Sequence, residues 1–340
     1  MEKKYKIVLA GCGGMANTWV KYALSRNDAE IVALVDIIEE NARKMAERHG
    51  LKSAYFKDLK EAITATGANL VFDVTIPAAH KEIVTTALSL GCHVLGEKPM
   101  APTMEEAREM IAASEKYGRM YAVMQNRRYL KGIRAFKKFF ADQTFGKPGF
   151  VTADFFLGPH FGGFREAMDS PLILDMAIHT FDQARFLIGA DPVSVYCHEF
   201  NPPGSWYRGN AAAVCIFEFS DGTVFSYNGS WCAEGARTSW ESSWRATGSK
   251  GTAIWDGTNP PYCEIVDDPA LEGLFTRSYR RIEAEEVWHG NEGHFGCLDE
   301  MFSALDEGRD AETVCKDNIK SMSMVLGAIE SARRGCKVML

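Results

Sequence analysis

Two rhythms alternate through the first 125 residues. Short continuous apolar runs lie at 5–10, 30–35, 70–76, 92–95 and 120–124. Between them lie helical patterns, up to about Arg26, over the polar stretch 39–49, and most notably over 81–90 and 104–117. A strand that is apolar at every position is buried on both faces, and helices between such strands make the crossovers of a parallel sheet. Crossovers of this kind are right-handed, so the pattern predicts a doubly wound α/β sheet. Beyond residue 126 the runs alternate instead, at 151–156, 193–199, 212–219, 223–230, 240–247 and 252–255. Asp221-Gly222 separates two of them at hairpin spacing. This half predicts a large, mostly antiparallel sheet, with helical patterns over 130–143, 172–188, 293–305 and 313–334 and a loop over 257–273.

Composition narrows the reading. The chain has 340 residues, and at about 150 residues per domain two domains are expected. Its 46% hydrophobic and 24% charged residues are those of an ordinary globular protein. Lys plus Arg number 38 against 45 Asp plus Glu, a net charge of -7 that argues against a nucleic-acid partner. The nine cysteines are odd in number, with no C-x-x-C pair, so neither a zinc site nor a disulfide framework is expected. No His/Cys/Asp cluster has metal-ligand spacing, and no metal is expected. Unpaired thiols suit a reducing compartment. No apolar run approaches the about 18 residues of a membrane span, and the N-terminal run is too short for a signal segment. A cytoplasmic protein without a membrane partner is the expectation.

The candidate chemistry starts at Gly11-Cys12-Gly13-Gly14-Met15-Ala16, which fits G-x-G-x-x-A between the first strand and the first helix. The first glycine permits the tight turn and the second lets backbone approach a pyrophosphate. The small Ala16 lets helix and strand pack closely. The helix N-terminus then offers free N–H groups to the phosphates. Asp36 ends the second strand and suits hydrogen bonding to the adenosine ribose, though it could equally cap the next helix. Ile37 and Ile38 follow it, with no adjacent cation for a 2′-phosphate, so NAD is favoured over NADP. Lys98 follows the fourth apolar run at the carboxyl edge of the sheet, where doubly wound folds bind ligands. Asp175 and His179 lie four apart on an expected helix and share a face, with Asp182 continuing the stripe. A histidine there suits reversible proton transfer, and an i,i+4 Asp–His pair equally suits a helix surface.

Four motifs in order carry a resemblance that spans essentially the whole chain: Gly11–Ala16 with Asp36; Thr75-Ile76-Pro77 with His80; Gly96-Glu97-Lys98-Pro99; and Asp175-x-x-x-His179 followed by Asp182. The chain resembles the Gfo/Idh/MocA oxidoreductases, the glucose–fructose oxidoreductase and inositol dehydrogenase group. The resemblance implies a dinucleotide-binding Rossmann domain over 1–125. It also implies an α+β domain over 126–340 for substrate and oligomerisation, with a large open sheet that builds dimers or tetramers. It implies NAD(P)-dependent hydride transfer at a carbon of a sugar, sugar derivative or cyclitol, with Lys98, Asp175 and His179 as catalytic residues. Thr75, Ile76, Pro77 and His80 would lie beside the nicotinamide ribose, with Glu97 and Lys98 nearby. Two departures concern the substrate: Ala177 replaces a frequent glycine, and Ser170-Pro171 replaces a glycine pair, although Gly162-Gly163 lies upstream.

For substrate contacts, Asn126, Arg127, Arg128 and Tyr129 follow the last strand of the first half, and His160, Phe161 and Arg165 precede the Asp175 helix. Lys98, Asp175 and His179 join Asn126, Arg127 and Arg165 as the expected substrate-binding set. Trp206, Trp231, Trp240 and Trp244 are aromatic candidates, the last two sharing a strand face by period two. Two other functions stay open on this sequence. One is an NAD-recycling glycosidase working through a transient keto-sugar. The other is a non-catalytic NAD-binding regulatory protein.

Overall fold

The computed structural model describes residues 3–267 and 277–340. The chain divides into two compact units: residues 1–126 with 293–322, and residues 127–292 with 323–340.

In the first unit, β1 (Tyr5–Ala10), α1 (Ala16–Ser25), β2 (Ala29–Val35), α2 (Glu39–His49), β3 (Ala54–Phe56) and α3 (Leu59–Thr66) form one wound half. The other half is β4 (Leu70–Asp73), α4 (Pro77–Ser89), β5 (His93–Gly96), α5 (Met104–Tyr117) and β6 (Tyr121–Val123). The six strands run parallel in the order β3-β2-β1-β4-β5-β6. That is the doubly wound sheet expected from uninterrupted apolar runs, and Ile7, Val8, Leu9, Leu70, Val71 and Phe72 are fully buried. Local signals set the helix ends. Thr103 Oγ1 accepts from the Glu106 N–H at 3.2 Å at the start of α5, and Gly118 closes it in the left-handed conformation at φ 59°.

In the second unit, α6 (Lys131–Ala141) precedes β7 (Pro148–Phe156), and α7 (Ile178–Ile188) precedes β8 (Pro192–Phe200). The strands β9 (Ala212–Phe219), β10 (Val224–Ser230), β11 (Ser243–Gly248), β12 (Gly251–Trp255), β13 (Tyr262–Val266) and β14 (Tyr279–Glu283) follow. Two helices, α8 (Gly293–Glu307) and α9 (Cys315–Arg334), and β15 (Val338–Met339) complete the chain. The nine strands form one sheet in the order β14-β13-β12-β11-β7-β10-β9-β8-β15, antiparallel except for the β7–β10 pair. Alternation sets its faces: on β9, Cys215, Phe217 and Phe219 are buried while Val214 and Ile216 are exposed. Helix α7 covers the inner face, with Phe181 edge-on to Phe217 at 4.8 Å and to Tyr227 at 5.2 Å.

Three expectations need correction. A single cut after residue 125 assigns 293–322 to the C-terminal half, yet this segment belongs to the first unit. The reason is aromatic packing: Phe302 lies 5.0 Å from Tyr5, 5.6 Å from Tyr22 and 6.1 Å from Phe72, and Phe295 lies 5.3 Å from Tyr22. Helical periodicity marks a buried face without saying which sheet buries it. The loop expected over 257–273 contains β13, whose Cys263 is buried opposite Ala253 of β12; residues 268–273 of it lie outside the described residues. The strand expected at 240 begins at Ser243, because Ser239–Ser242 closes a turn with Ser242 at φ 66°. Trp244 is therefore buried while Trp240 is 43% exposed.

Phe302 is fully buried in this cluster, so Phe302→Ala should lower unfolding stability by about 3–5 kcal/mol. Urea denaturation of the full chain measures it. A loss below about 0.5 kcal/mol, the surface range, would show that α8 is not part of the first unit's core.

Candidate functional site

The glycine-rich turn sits where β1 meets α1. Gly11 has φ +86°, and a Cβ there would fall 2.5 Å from the Val74 carbonyl oxygen, so the position requires glycine. Cβ atoms on Gly13 and Gly14 would meet nothing within 4 Å. Their backbone is open where a side chain would stand, as close approach of a pyrophosphate needs. The Cys12 N–H donates to Asp36 Oδ2 at 2.9 Å, and Asp36 Oδ1 accepts from the Ile38 N–H at 2.8 Å and Asn41 Nδ2 at 3.3 Å. The carboxylate is thus tied to both the phosphate loop and the turn after β2. Burial, reinforced by Asp36, pushes the Cys12 thiol up to about 12, so it stays a neutral packing group. Ala16 is fully buried, as close helix–strand packing requires, while Met15 is 46% exposed. These features fit a dinucleotide.

The next two strand ends carry the other predicted residues of this unit. Asp73 ends β4 and is fully buried. Its Oδ2 lies 2.8 Å from His80 Nδ1, and its Oδ1 accepts from Thr75 Oγ1 at 2.6 Å and Thr75 N at 3.2 Å. His80 lies on the first turn of α4 behind Pro77, and Ile76 is exposed at the edge. Glu97 and Lys98 follow β5. Glu97 is buried: its Oε1 accepts from Trp19 Nε1 at 2.8 Å, and its Oε2 from the Lys98 N–H at 3.3 Å. Glu97 thereby pins α1 to the end of β5. The Lys98–Pro99 peptide is cis. Asn126 Nδ2 lies 3.5 Å from His294 Nδ1.

In the second unit the Asp175 helix does not begin as an α-helix. Residues Leu172–Ala177 form π-helical turns, which pass into α7 at Ile178. Such insertions are frequent at functional sites. Asp175 Oδ2 accepts from Arg165 Nε at 2.7 Å, and the Arg165 guanidinium lies 4.8 Å from the Phe164 ring and 5.6 Å from Phe161. His179 is buried on the first turn of α7. Asp182 departs from the expected stripe: it is buried in a two-pronged pair with Arg128, at 2.6 Å to Nε and 2.7 Å to Nη2. This pair locks α7 to the segment before α6. Arg127 is likewise engaged, with Nη1 on the Trp240 carbonyl and 3.3 Å from Glu241. Burial lowers the Arg127 guanidinium's proton affinity and raises that of Glu241, each offset by the other's charge.

Sequence reasoning missed Asp73, Glu241 and Gln183, whose Nε2 donates to Glu241 Oε2 at 3.1 Å. Asp73 carried one signal: it is the charge that ends an otherwise apolar strand. Trp206 stacks on His160 at 3.8 Å, and His160 Nε2 lies 2.8 Å from Glu234. Trp231 and Trp240 stand edge to face at 5.5 Å. Among the described residues no cluster of His, Cys, Asp and Glu could hold a metal ion, and no helix is long and apolar enough to cross a membrane.

An oxidoreductase family with an NAD-binding Rossmann fold matches residues 5–125, and the GFO/IDH/MocA C-terminal domain matches residues 133–254. The chain is 29% identical to the uncharacterized protein y4oX of Sinorhizobium fredii, covering 97% of this chain and 94% of that one. It is 25% identical to a 1,5-anhydro-D-fructose reductase of Ensifer adhaerens, covering 96% of each. Among solved structures, an oxidoreductase from Agrobacterium radiobacter in complex with NAD+, L-tartaric acid and magnesium superposes with a TM-score of 0.85. It is 20% identical, with 99% of this chain and 98% of that chain covered.

A half-buried carboxylate adjoins the π-helical turns. Glu199 of β8 accepts from Ser170 Oγ at 3.0 Å, just before Pro171. Burial raises its carboxyl from 4.5 to about 7, opposed by the Ser170 hydrogen bond. The folded state therefore holds this proton more tightly than the unfolded chain. The associated stability is full below about 4.5 and is lost as pH rises to about 7. Glu199→Gln, which stays neutral, should gain in melting temperature on the unmodified protein across that interval and hold a constant lead above it. A difference independent of pH would show that Glu199 ionises as readily folded as unfolded.

Proposed function

The chain belongs to the Gfo/Idh/MocA oxidoreductase family, and from that membership we propose that it is an NAD-dependent dehydrogenase of a sugar, sugar derivative or cyclitol. The observation that carries this reading is the Gly11 turn tied to Asp36, with Lys98 at the carboxyl edge of the same sheet. A carboxylate at Asp36 accepts hydrogen bonds from ribose hydroxyls and repels a 2′-phosphate. The residues after it, Ile37 and Ile38, are 85% and 55% exposed and bring no cation, which favours NAD over NADP. The sugar-derivative reductase among the relatives supports the substrate class.

The roles follow from side-chain chemistry. His179 takes the hydroxyl proton as the alcohol is oxidised and returns it in reduction. Asp175, steadied by Arg165 in the π-helical turns, supports His179. The Lys98 ammonium stabilises charge developing on the substrate oxygen. Thr75, Ile76, Pro77, His80 and Glu97 border the coenzyme, and Asn126 and Arg165 contribute to holding the substrate, whereas Arg127, engaged by Glu241 and the Trp240 carbonyl, holds the segment after Asn126 in place. A bound nicotinamide supplies the hydride acceptor.

The open sheet face suggests the assembly. Phe150, Tyr196, Val214 and Ile216 are each at least 40% exposed and, by strand register, share one face. Exposed apolar side chains set among polar neighbours such as Thr152, Ser226 and Asn228 on one sheet face suit a second copy of the chain, in a homodimer or homotetramer. The nine free thiols suit a reducing, cytoplasmic setting.

Lys98→Ala and His179→Ala should each lower kcat by at least about a hundredfold. The assay follows NADH absorbance with a panel of sugars and inositols, offering NAD and NADP in parallel. Normal turnover by both variants would overturn the residue assignment, and turnover without net NADH would overturn the dehydrogenase reading. For the assembly, Ile216→Lys should reduce the molar mass found by light scattering. An unchanged mass would place the contact elsewhere.

A further inference from the structure

Asp73 is a costly residue in its position. It is fully buried at the end of a central parallel strand, where a carboxylate is stable only with strong hydrogen-bond partners. Its partners all lie at the carboxyl edge of the sheet: His80 Nδ1 at 2.8 Å, Thr75 Oγ1 at 2.6 Å and Thr75 N at 3.2 Å. A carboxylate only accepts hydrogen bonds, so Nδ1 must carry the proton. In neutral His80 the other ring nitrogen, Nε2, is then a lone-pair acceptor. Nε2 is buried and has no protein partner.

The location says what such an acceptor faces. Gly11, the first glycine of the phosphate loop, abuts Val74 and Thr75, the residues directly after Asp73. In the strand order, β4 lies next to β1 on the side away from β2 and Asp36. A dinucleotide crosses a doubly wound sheet at this reversal of strand order, one nucleoside over each half. With the adenosine side fixed by Asp36, the second nucleoside lies over the half that begins with β4. Its hydroxyls are hydrogen-bond donors, which an acceptor at His80 Nε2 complements.

We propose that Asp73 is a positioning residue for the coenzyme: it fixes the His80 tautomer so that Nε2 accepts a hydrogen bond from a hydroxyl of the second ribose. This rests on the dinucleotide reading above and goes beyond it in naming the group that orients His80. The sharpest variant is Asp73→Asn. It keeps the shape and the acceptor for Thr75, but its amide donates to Nδ1, so Nε2 becomes a donor and faces another donor.

The test measures binding by the full-length chain to NADH, ADP-ribose and ADP, by fluorescence and calorimetry. ADP-ribose carries the second ribose without nicotinamide, and ADP lacks both. Asp73→Asn should weaken NADH and ADP-ribose about ten- to a hundredfold, the scale of leaving a buried polar group unmatched, and change ADP less than about twofold. In a His80→Ala background, Asp73→Asn should have no further effect on ADP-ribose. Nitrogen NMR of histidine-labelled unmodified protein, with His80 assigned by its loss in His80→Ala, should show the Nδ1–H form. That measurement holds even if Asp73→Asn fails to fold. Unchanged ADP-ribose affinity, an equal loss for ADP, additive effects in the double variant or an Nε2–H tautomer would each overturn the proposal while leaving the dinucleotide reading intact. An unmodified protein that binds neither NADH nor ADP would overturn both.

Discussion

Between the Gly11 backbone and the Val74 carbonyl there is no room for a methyl group, and the rest of the nucleotide edge is arranged around that contact. A side chain at residue 11 would force β1 and β4 apart at their carboxyl ends, where parallel strands turn outward and their loops meet. With glycine there, the phosphate loop stays low. Its Cys12 N–H reaches Asp36 on one side, and the Val74–Thr75 segment lies against it on the other. The acid after β2 and the acid that ends β4 thus lie either side of one turn. The chemistry of this unit depends on backbone approach more than on any single charged group.

The second unit is held differently. Around α7, charges are buried in pairs: Arg128 with Asp182, and Arg127 with Glu241, which Gln183 also engages. A buried pair of this kind adds little net stability compared with apolar packing, but losing one partner strands the other charge. The pairs therefore act as registration, fixing where α7 lies and so where His179 points. The π-helical turns ahead of α7 add a second constraint. They place Asp175 where Arg165 reaches it, while Glu199 and Ser170 brace the entry to those turns.

Much of this was legible from the order of residues. Uninterrupted apolar runs specify strands covered on both faces, and alternating runs specify a sheet with one face open. The glycine turn and the places of Asp36 and Lys98 after their strands were readable because they depend on backbone conformation and on chain order, both of them local. Periodicity failed where it had to choose between partners. It marked a buried face on 293–305 but could not say that Phe302 packs against Tyr5 and Phe72. It set Asp182 on the same helix face as Asp175 but could not say that Asp182 is closed off by Arg128.

The sequence alone determined most of the strands and helices, the glycine-rich turn and the inventory of groups available for chemistry, because each is encoded locally. Only the tertiary structure decided which of those groups are spent on one another: Glu97 on Trp19, Asp182 on Arg128, Arg127 on Glu241, Asp73 on His80. Hydrogen bonds and ion pairs are satisfied by whichever partner folding brings within about 3 Å, and separation along the chain carries no record of that distance.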